Sequence, residues 1–593
     1  GGLLDCVYDL SKLAGAEPAS IRLLMQRPCE LLPMPESEGE RLESRAVASI
    51  LSVLLPCFAG TVILGLFSEG VYHDDDLTHY LMARWVRWFP DYLLHIWARP
   101  GLTWPLATVA WIGDIETGWH ACRILSALAT AAGAFAAAML AHRWKVRRPW
   151  LVVLACYSQP LNGLLAYTTL TENFAALYLI TALLILDTGR TRLASLVFSM
   201  VLLSRHEMII LIPIWWIALL TGPLPLRRRA TAVALSLWAP VIYNIAFHGW
   251  YGAWPIGLFF EPSGSTEYLS TGLLTYVPRA LLAIPPALAG LAFLGGARLI
   301  RRGHRLGVTM VAVFFAAHCA ITTLGIFASG GFARFMVTIA PLVGIVSVAG
   351  WNEFCERAAN GRRMRAAWST LAAVWIVGCV AMELERRAGR IGMVDPRTLL
   401  WLVVGAAFVA AAALTMAVLS ARRISSKTHG LAVGALGLTV LLPIAVFARP
   451  LGLGPDQRQV FNAVAWLRNE GVINRPIFAT NPWFSYFLGF AEDPTVHKGP
   501  RLLSAMPVGT IVVWDSSYSD NDFHGISLDE LTGDAYYAQL KTFGGIDGRG
   551  WELRVFEKIA ATPVSDAPGR IYPPNLMTTG VETASTYYRV MPE

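Results

Sequence analysis

Apolar residues in this chain come in long, nearly unbroken runs, without the strict alternation or one-sided stripe of soluble elements. Runs of about 15 to 23 residues recur between Val47 and Phe447, each long enough or nearly long enough to cross a hydrocarbon layer of ~30 Å. The pattern predicts thirteen membrane spans, near 46–67, 118–141, 150–165, 173–186, 193–204, 208–222, 230–248, 279–297, 306–328, 335–351, 367–382, 398–420 and 430–448. Three of these are short. The polar segments between them are brief, as expected where a bilayer requires each backbone group to find its partner within a helix.

The pattern changes after Gly454. Gln457–Asn469 reads as a helix, Pro476–Thr480, Thr510–Asp515 and Trp551–Glu557 as strands, and Leu528–Leu540 as a second helix. This alternation predicts a small α/β domain over 451–560, with 561–593 an irregular tail rich in Pro, Thr and Ser. Residues 1–45 lack the short apolar region of a signal peptide and read as a cytoplasmic leader. The expected fold is therefore mainly α: a polytopic membrane protein of about thirteen transmembrane helices over 46–450, with a small extracytoplasmic α/β domain. No internal repeat is visible in the spans, which weakens a transporter built on inverted repeats.

Composition agrees. Of 593 residues, 55% are apolar and 15% charged, and the mean hydropathy is +0.49, whereas a soluble protein carries roughly a quarter charged residues. Disorder, a secreted disulfide scaffold and a soluble nucleic-acid binder are excluded. The net charge of +7 lies largely in Arg clusters: Arg143 to Arg148, Arg227 to Arg229, Arg298 to Arg305, Arg357 to Arg365, and Arg422 to Lys427. These alternate with loops nearly free of Arg, the positive-inside pattern. It predicts a multi-pass protein of the plasma (inner) membrane with a cytoplasmic N-terminus. Loops 68–117 and 249–278, and everything after Arg449, then lie outside. The eight cysteines show no zinc-like spacing.

The strongest chemical signal follows the first span, in His73-Asp74-Asp75-Asp76-Leu77-Thr78-His79-Tyr80. Adjacent carboxylates repel, so they persist in water or where a cation or proton donor shares the site. They suit a general base, or hard oxygen ligands for a divalent cation at Asp74, Asp75 and Asp76. A solvated turn is the plainer reading, and the D-x-D pattern of nucleotide-sugar enzymes a weaker one. Leu81 to Leu94, with Trp85, Trp88, Phe89 and Tyr92 beside Arg84 and Arg87, reads as an amphipathic interfacial helix holding the acidic cluster at headgroup level. The loop 249–278 carries Trp250, Tyr251, Trp254, Phe259, Phe260, Glu261 and Glu267, suited to a sugar or lipid or to interfacial anchoring.

These residues resemble those of the C-type glycosyltransferase superfamily, the multi-span enzymes that use polyprenyl-phosphate sugars and include the protein O-mannosyltransferases and lipid A aminoarabinose transferases. The family's acidic pair follows the first span. Asp75 leads when the motif is read as that pair, and Asp76 when it is read by distance to His79 and Tyr80, with Leu77 where the family commonly has Glu. Thr171-Glu172-Asn173, Ser204-Arg205-His206-Glu207 and Phe332-Ala333-Arg334-Phe335 are similar to later acidic and Arg-bearing positions of the family. The resemblance implies transfer of a sugar from a polyprenyl-phosphate donor to a hydroxyl of an extracytoplasmic glycan, lipid or protein acceptor, with no nucleic acid involved. Asp75 or Asp76 is then the catalytic base. Arg334 and Arg205 neutralise the leaving phosphate, Glu172 and Glu207 orient them or sugar hydroxyls, and His79 keeps the acidic cluster in register. Asp74, Tyr80 and His206 complete the expected substrate-binding set, while Arg123 with His120 reads as structural. No cofactor is required on this reading and a metal is optional. A transporter or flippase of polyprenyl-linked sugars is the alternative.

Overall fold

The computed structural model describes residues 36–252, 254–255, 276–324, 332–357, 448–489, 500–520, 525–533, 535–544 and 551–562. The leader up to residue 35, the centre of the loop 249–278, the predicted spans 367–382 and 398–420, nearly all of 430–448 and nearly all of the tail lie outside them. The chain divides into Gly1–Ser49 and Ile50–Glu593, and the fold and cleft belong to the second unit.

The predicted spans within the described residues are helical, but few are single long helices. Glu43–Leu66, Ile115–Arg143, Arg305–Leu324 and Ala333–Glu356 are each long and apolar enough to cross a membrane, and Leu226–Leu235 with Trp238–Tyr251 adds a fifth if that pair, bent by 43°, is one span. The other runs are shorter or broken. Prolines account for several breaks, since they remove a helical donor and crowd the preceding turn. The run 150–165 splits before Pro160 and the run 279–297 before Pro286. Thirteen full spans are therefore not what the described residues form, although the chain is an integral membrane protein.

Seven helices place the site: α1 (Glu36–Leu66), α2 (Asp74–Trp85), α3 (Pro100–Ala107), α4 (Ile115–Arg143), α5 (Glu172–Asp187), α6 (Thr191–Ser204) and α7 (Arg305–Leu324). α8 (Ala340–Arg357) runs through the bundle core. Alanines along α4, among them Ala127, Ala131, Ala134 and Ala138, are buried; small side chains let membrane helices approach closely. Gly350 on α8 shows how close. A β-carbon there would lie 1.9 Å from the carbonyl oxygen of Leu291 on the neighbouring helix Pro286–Arg301.

Basic clusters and cleft lie at opposite ends of α5. Glu172 opens that helix in the cleft, and Asp187 closes it, paired with Arg143; sixteen residues separate them by about 24 Å. At the Arg143 end, Arg147 and Arg298 both pair with Glu356, Arg302 donates to the carbonyl of Lys145, and Trp144 stacks on His304.

The C-terminal part contains α9 (Pro455–Asn469), β1 (Ile477–Ala479), α10 (Pro482–Leu488), β2 (Ile511–Asp515), β3 (Tyr537–Gly544) and β4 (Glu552–Lys558). The strand order is β1-β2-β4-β3, with β1 and β2 parallel and the other pairs antiparallel. The expected helix Leu528–Leu540 is corrected here: a short helix, Leu528–Gly533, is followed by β3. Glycine at 533 is a poor helix residue, and the edge pairing with β4 satisfies the backbone of a segment rich in Tyr, Thr and Phe.

The amphipathic segment also differs from expectation. α2 begins at Asp74 and ends at Trp85, so the acidic cluster forms its first turn, where the positive end of the helix dipole favours carboxylates. The helix does not lie with one face in lipid. Leu77, Tyr80, Leu81, Met82 and Trp85 are buried in an apolar core shared with Val460, Val464, Trp483 and Phe484 of α9 and α10. The C-terminal domain thus packs directly on the segment that carries the acidic motif.

Candidate active site

The cleft is built where helices stop. α6 ends at Ser204, Arg205 is extended, and a 3-10 turn, His206–Leu211, follows. A second 3-10 turn, Ala333–Ile339, precedes α8, and Thr171 precedes α5. Such interrupted backbone at membrane depth survives where it is buried in protein or lines a polar cavity. The result is a small cleft, open to solvent and lined by Asp75, His79, Trp97, Arg99, Leu170, Thr171, Glu172, Arg205, His206, Glu207, Phe332, Arg334 and Phe335.

Its charges form a chain of ion pairs. Asp75 Oδ2 lies 2.5 Å from Arg334 Nη2 and 3.3 Å from His73 Nδ1. Arg334 Nε is 3.4 Å from Glu172 Oε1, which accepts from Arg205 Nη1 at 2.5 Å. Arg205 also donates through Nε to Glu207 and through Nη1 to Thr171 Oγ1 at 3.0 Å, and lies over the Phe335 ring at 4.1 Å. Arg334 Nε and Nη1 are buried without a hydrogen-bond partner. Buried donors of this kind need an acceptor.

Burial works to raise the Asp75 carboxyl, yet His73 and Arg334 hold it well below the usual carboxylate range. His79, one turn further along α2, is kept neutral by burial, its pKa drawn down to about 4. Its Nδ1 is unpartnered.

Asp75, His79, Glu172, Arg205, His206, Glu207 and Arg334 therefore meet in one cleft, brought from four separate stretches of chain. Asp74, Asp76 and Tyr80 do not line it. The helix turns about 100° per residue, so consecutive carboxylates point apart. Asp74 meets the Tyr518 hydroxyl on the C-terminal domain. Asp76 is fully buried and accepts from the backbone N–H of Thr169 at 2.6 Å and from its hydroxyl, tying α2 to the strap before Glu172. Burial raises the Asp76 carboxyl. The Tyr80 hydroxyl donates to the Ile115 carbonyl and its ring stacks on Trp119. The three aspartates do not converge, and among the described residues no three His, Cys, Asp or Glu side chains form a metal-holding group. A single cation site at Asp74, Asp75 and Asp76 does not fit this arrangement.

Arg123 acts as a clamp. Its guanidinium donates to the carbonyls of Gly65, Ser68 and Gly70 and lies 3.7 Å above the Trp119 ring, fixing the exit of α1 from which the acidic motif departs. Gly70 is required there, because a β-carbon would sit 2.1 Å from the Gly452 carbonyl oxygen.

Sequence reasoning passed over Arg99. Its Nη1 lies 2.6 Å from His206 Nδ1, and since a guanidinium only donates, that imidazole nitrogen accepts. Arg99 has φ of 58°, in the left-handed region unusual for a residue with a side chain. Among the described residues it has no carboxylate within ion-pair distance, unlike Arg205 and Arg334. Only an Arg directly before Pro100, opening α3, hinted at it.

No protein-family model and no curated protein sequence matches this chain. Among solved structures, the crystal structure of ArnT from Cupriavidus metallidurans bound to undecaprenyl phosphate is similar, with a TM-score of 0.53 and 16% identity over 86% of this chain and 97% of that one. The chain shares the fold of that ArnT structure.

Proposed function

We propose that the protein is a membrane glycosyltransferase that moves a sugar from a polyprenyl-phosphate donor to a hydroxyl of an extracytoplasmic acceptor. The observation that carries this reading is the cleft itself: the buried guanidiniums of Arg205 and Arg334 and the half-buried one of Arg99, beside the Asp75 carboxylate at the end of the bundle remote from the basic clusters. An anionic lipid headgroup at a membrane surface calls for fixed cations, and Arg pairs with phosphate through two parallel donors. ArnT, which shares the fold, was crystallised with undecaprenyl phosphate.

In this mechanism the donor phosphate takes up the unused donors of Arg334 and pairs with the guanidinium of Arg99. Asp75, paired with Arg334, is ionised but a weak base. When the phosphate draws on Arg334 the carboxylate gains basicity, and it removes the proton of the attacking hydroxyl. The acceptor oxygen bonds to the anomeric carbon from the face opposite the phosphate, whose oxygen leaves with the bonding pair, inverting that centre. Glu172 and Glu207 hold Arg205 and Arg334 in place, and His79, neutral, is a hydrogen-bonding group beside the base. Asp76 supports this geometry from outside the cleft. The basic clusters face the cytoplasm and the cleft and C-terminal domain the opposite side.

The test is to offer the purified protein in lipid nanodiscs a panel of labelled polyprenyl-phosphate sugars with an acceptor fraction from cell envelope. Transfer of label from one donor, with release of polyprenyl phosphate, is expected. Failure to consume any donor, with uptake of lipid-linked sugar across vesicle membranes instead, would establish the transporter alternative.

A further inference from the structure

We propose that His73 is the proton outlet of this site, taking from Asp75 the proton that the acceptor hydroxyl gives up and passing it to water. This rests on the glycosyl-transfer reading above and adds to it a residue outside the cleft lining.

His73 immediately precedes α2 in extended conformation and caps it, its Nδ1 accepting from the Asp75 backbone N–H at 3.3 Å. The same nitrogen is 3.3 Å from Asp75 Oδ2. One nitrogen cannot serve both partners in one protonation state. With its lone pair free it accepts from the amide; once protonated it can only donate, and the carboxylate oxygen lies at the same distance. A proton reaching Asp75 can thus move to the imidazole without the ring changing place, converting a helix cap into an ion pair.

Exposure gives the transfer a direction. Side-chain exposure rises from 8% at Arg334 to 17% at Asp75 and 37% at His73. The imidazole is held edge-on to Phe332, ring centres 5.6 Å apart, on the rim of the cleft. The other charged or titratable groups near the pair cannot substitute. Arg334 and, beyond it, Glu172 are buried in ion pairs, and His79 is buried within α2. Tyr72 on the preceding residue is a phenol whose hydroxyl is far less basic than imidazole, and Tyr518 of the C-terminal domain bonds Asp74.

The step balances. The acceptor oxygen gains its bond to the anomeric carbon as the carbon–oxygen bond to the phosphate breaks, with that electron pair leaving on the phosphate. The hydroxyl proton goes to Asp75, then to His73, then to solvent.

His73→Asn is the informative variant, since Asn caps helices well and preserves the start of α2 but does not carry a proton at neutral pH. Transfer is measured in nanodiscs at saturating donor from about pH 5 to pH 9, with and without added imidazole. We expect a fall in kcat of roughly 10-fold or more, an unchanged KM for donor, loss of the wild-type acid limb, and partial recovery with imidazole. His73→Gln should behave alike. Wild-type kcat and pH profile in both variants, or a loss that imidazole does not touch and that leaves the profile unaltered, overturns the proposal in favour of simple capping. A wild-type protein that transfers from no polyprenyl-phosphate sugar would overturn the underlying reading instead, and this inference with it.

Discussion

Arg334 sits between two carboxylates and still has two buried N–H groups without acceptors, so at the scale of single residues it is the most sensitive point of the cleft. A charge-assisted bond to phosphate contributes roughly 1.5–3 kcal/mol. Arg334→Ala is therefore expected to weaken donor binding about 10- to 100-fold, with Arg334→Lys intermediate because the charge survives but the planar fork does not. Donor titration by scintillation proximity checks both. Arg99→Ala should weaken donor binding as well, whereas Arg334→Ala with wild-type affinity would leave that residue a structural anchor. Asp76→Asn should act on stability through the bonds with Thr169, costing on the order of 1–3 kcal/mol, seen as a lowered unfolding midpoint with donor binding retained. Ionisable residues at span ends were visible in the sequence because few groups survive there without a partner. Whether Asp75 or Asp76 reached the cleft was not, since that depends on the rotation of α2 about its axis. Arg99 was hidden among the other arginines of the first outer loop, its left-handed backbone invisible without the fold.

Among the elements, α2 and the C-terminal sheet form one working unit. Asp515, at the end of β2, is buried, accepts from the backbone N–H groups of Ser517 and Tyr518, and anchors the turn whose Tyr518 meets Asp74. Burial pushes its pKa up to about 7. The folded state thus keeps a proton that the unfolded chain loses near pH 4, and stability should fall as pH rises from about 4 to about 7, by at most about 1.4 kcal/mol per pH unit, and level off above. Asp515→Asn should flatten that dependence, measured as the denaturation midpoint against pH. A slope of opposite sign would show that the carboxyl is ionised in the fold. The strands β1, β2 and β4 were legible from their Val, Ile and Phe runs, being buried and short. β3 was not. Its face is largely exposed, so it carries no apolar signature, and its Leu540 and Ala538 fitted a helix equally well. The interfacial reading of α2 failed for a related reason: an apolar face in sequence does not say whether lipid or a domain some four hundred residues along will cover it.

For the whole molecule, the bundle separates a basic end, where Arg143, Arg147, Arg298 and Arg302 gather, from a cleft end about one α5 length away. Hydropathy made the membrane character of the chain legible at once. The count of spans was not, because the same apolar residues that mark a crossing also fill broken helices around a buried polar site, as at His206–Leu211 and Ala333–Ile339. Reporter fusions should place the Arg143–Arg148 loop in the cytoplasm and residues after Arg449 outside; labelling of both from one side would undo the assignment of the cleft to the outer surface. The central claim is that sugar leaves its polyprenyl phosphate at Asp75, and the most direct measurement compares donor turnover and donor binding in wild type and Asp75→Asn side by side in nanodiscs. Removal of a general base predicts turnover lower by about 100-fold or more with donor still bound; an Asp75→Asn protein that binds donor and turns it over at the wild-type rate would contradict the account.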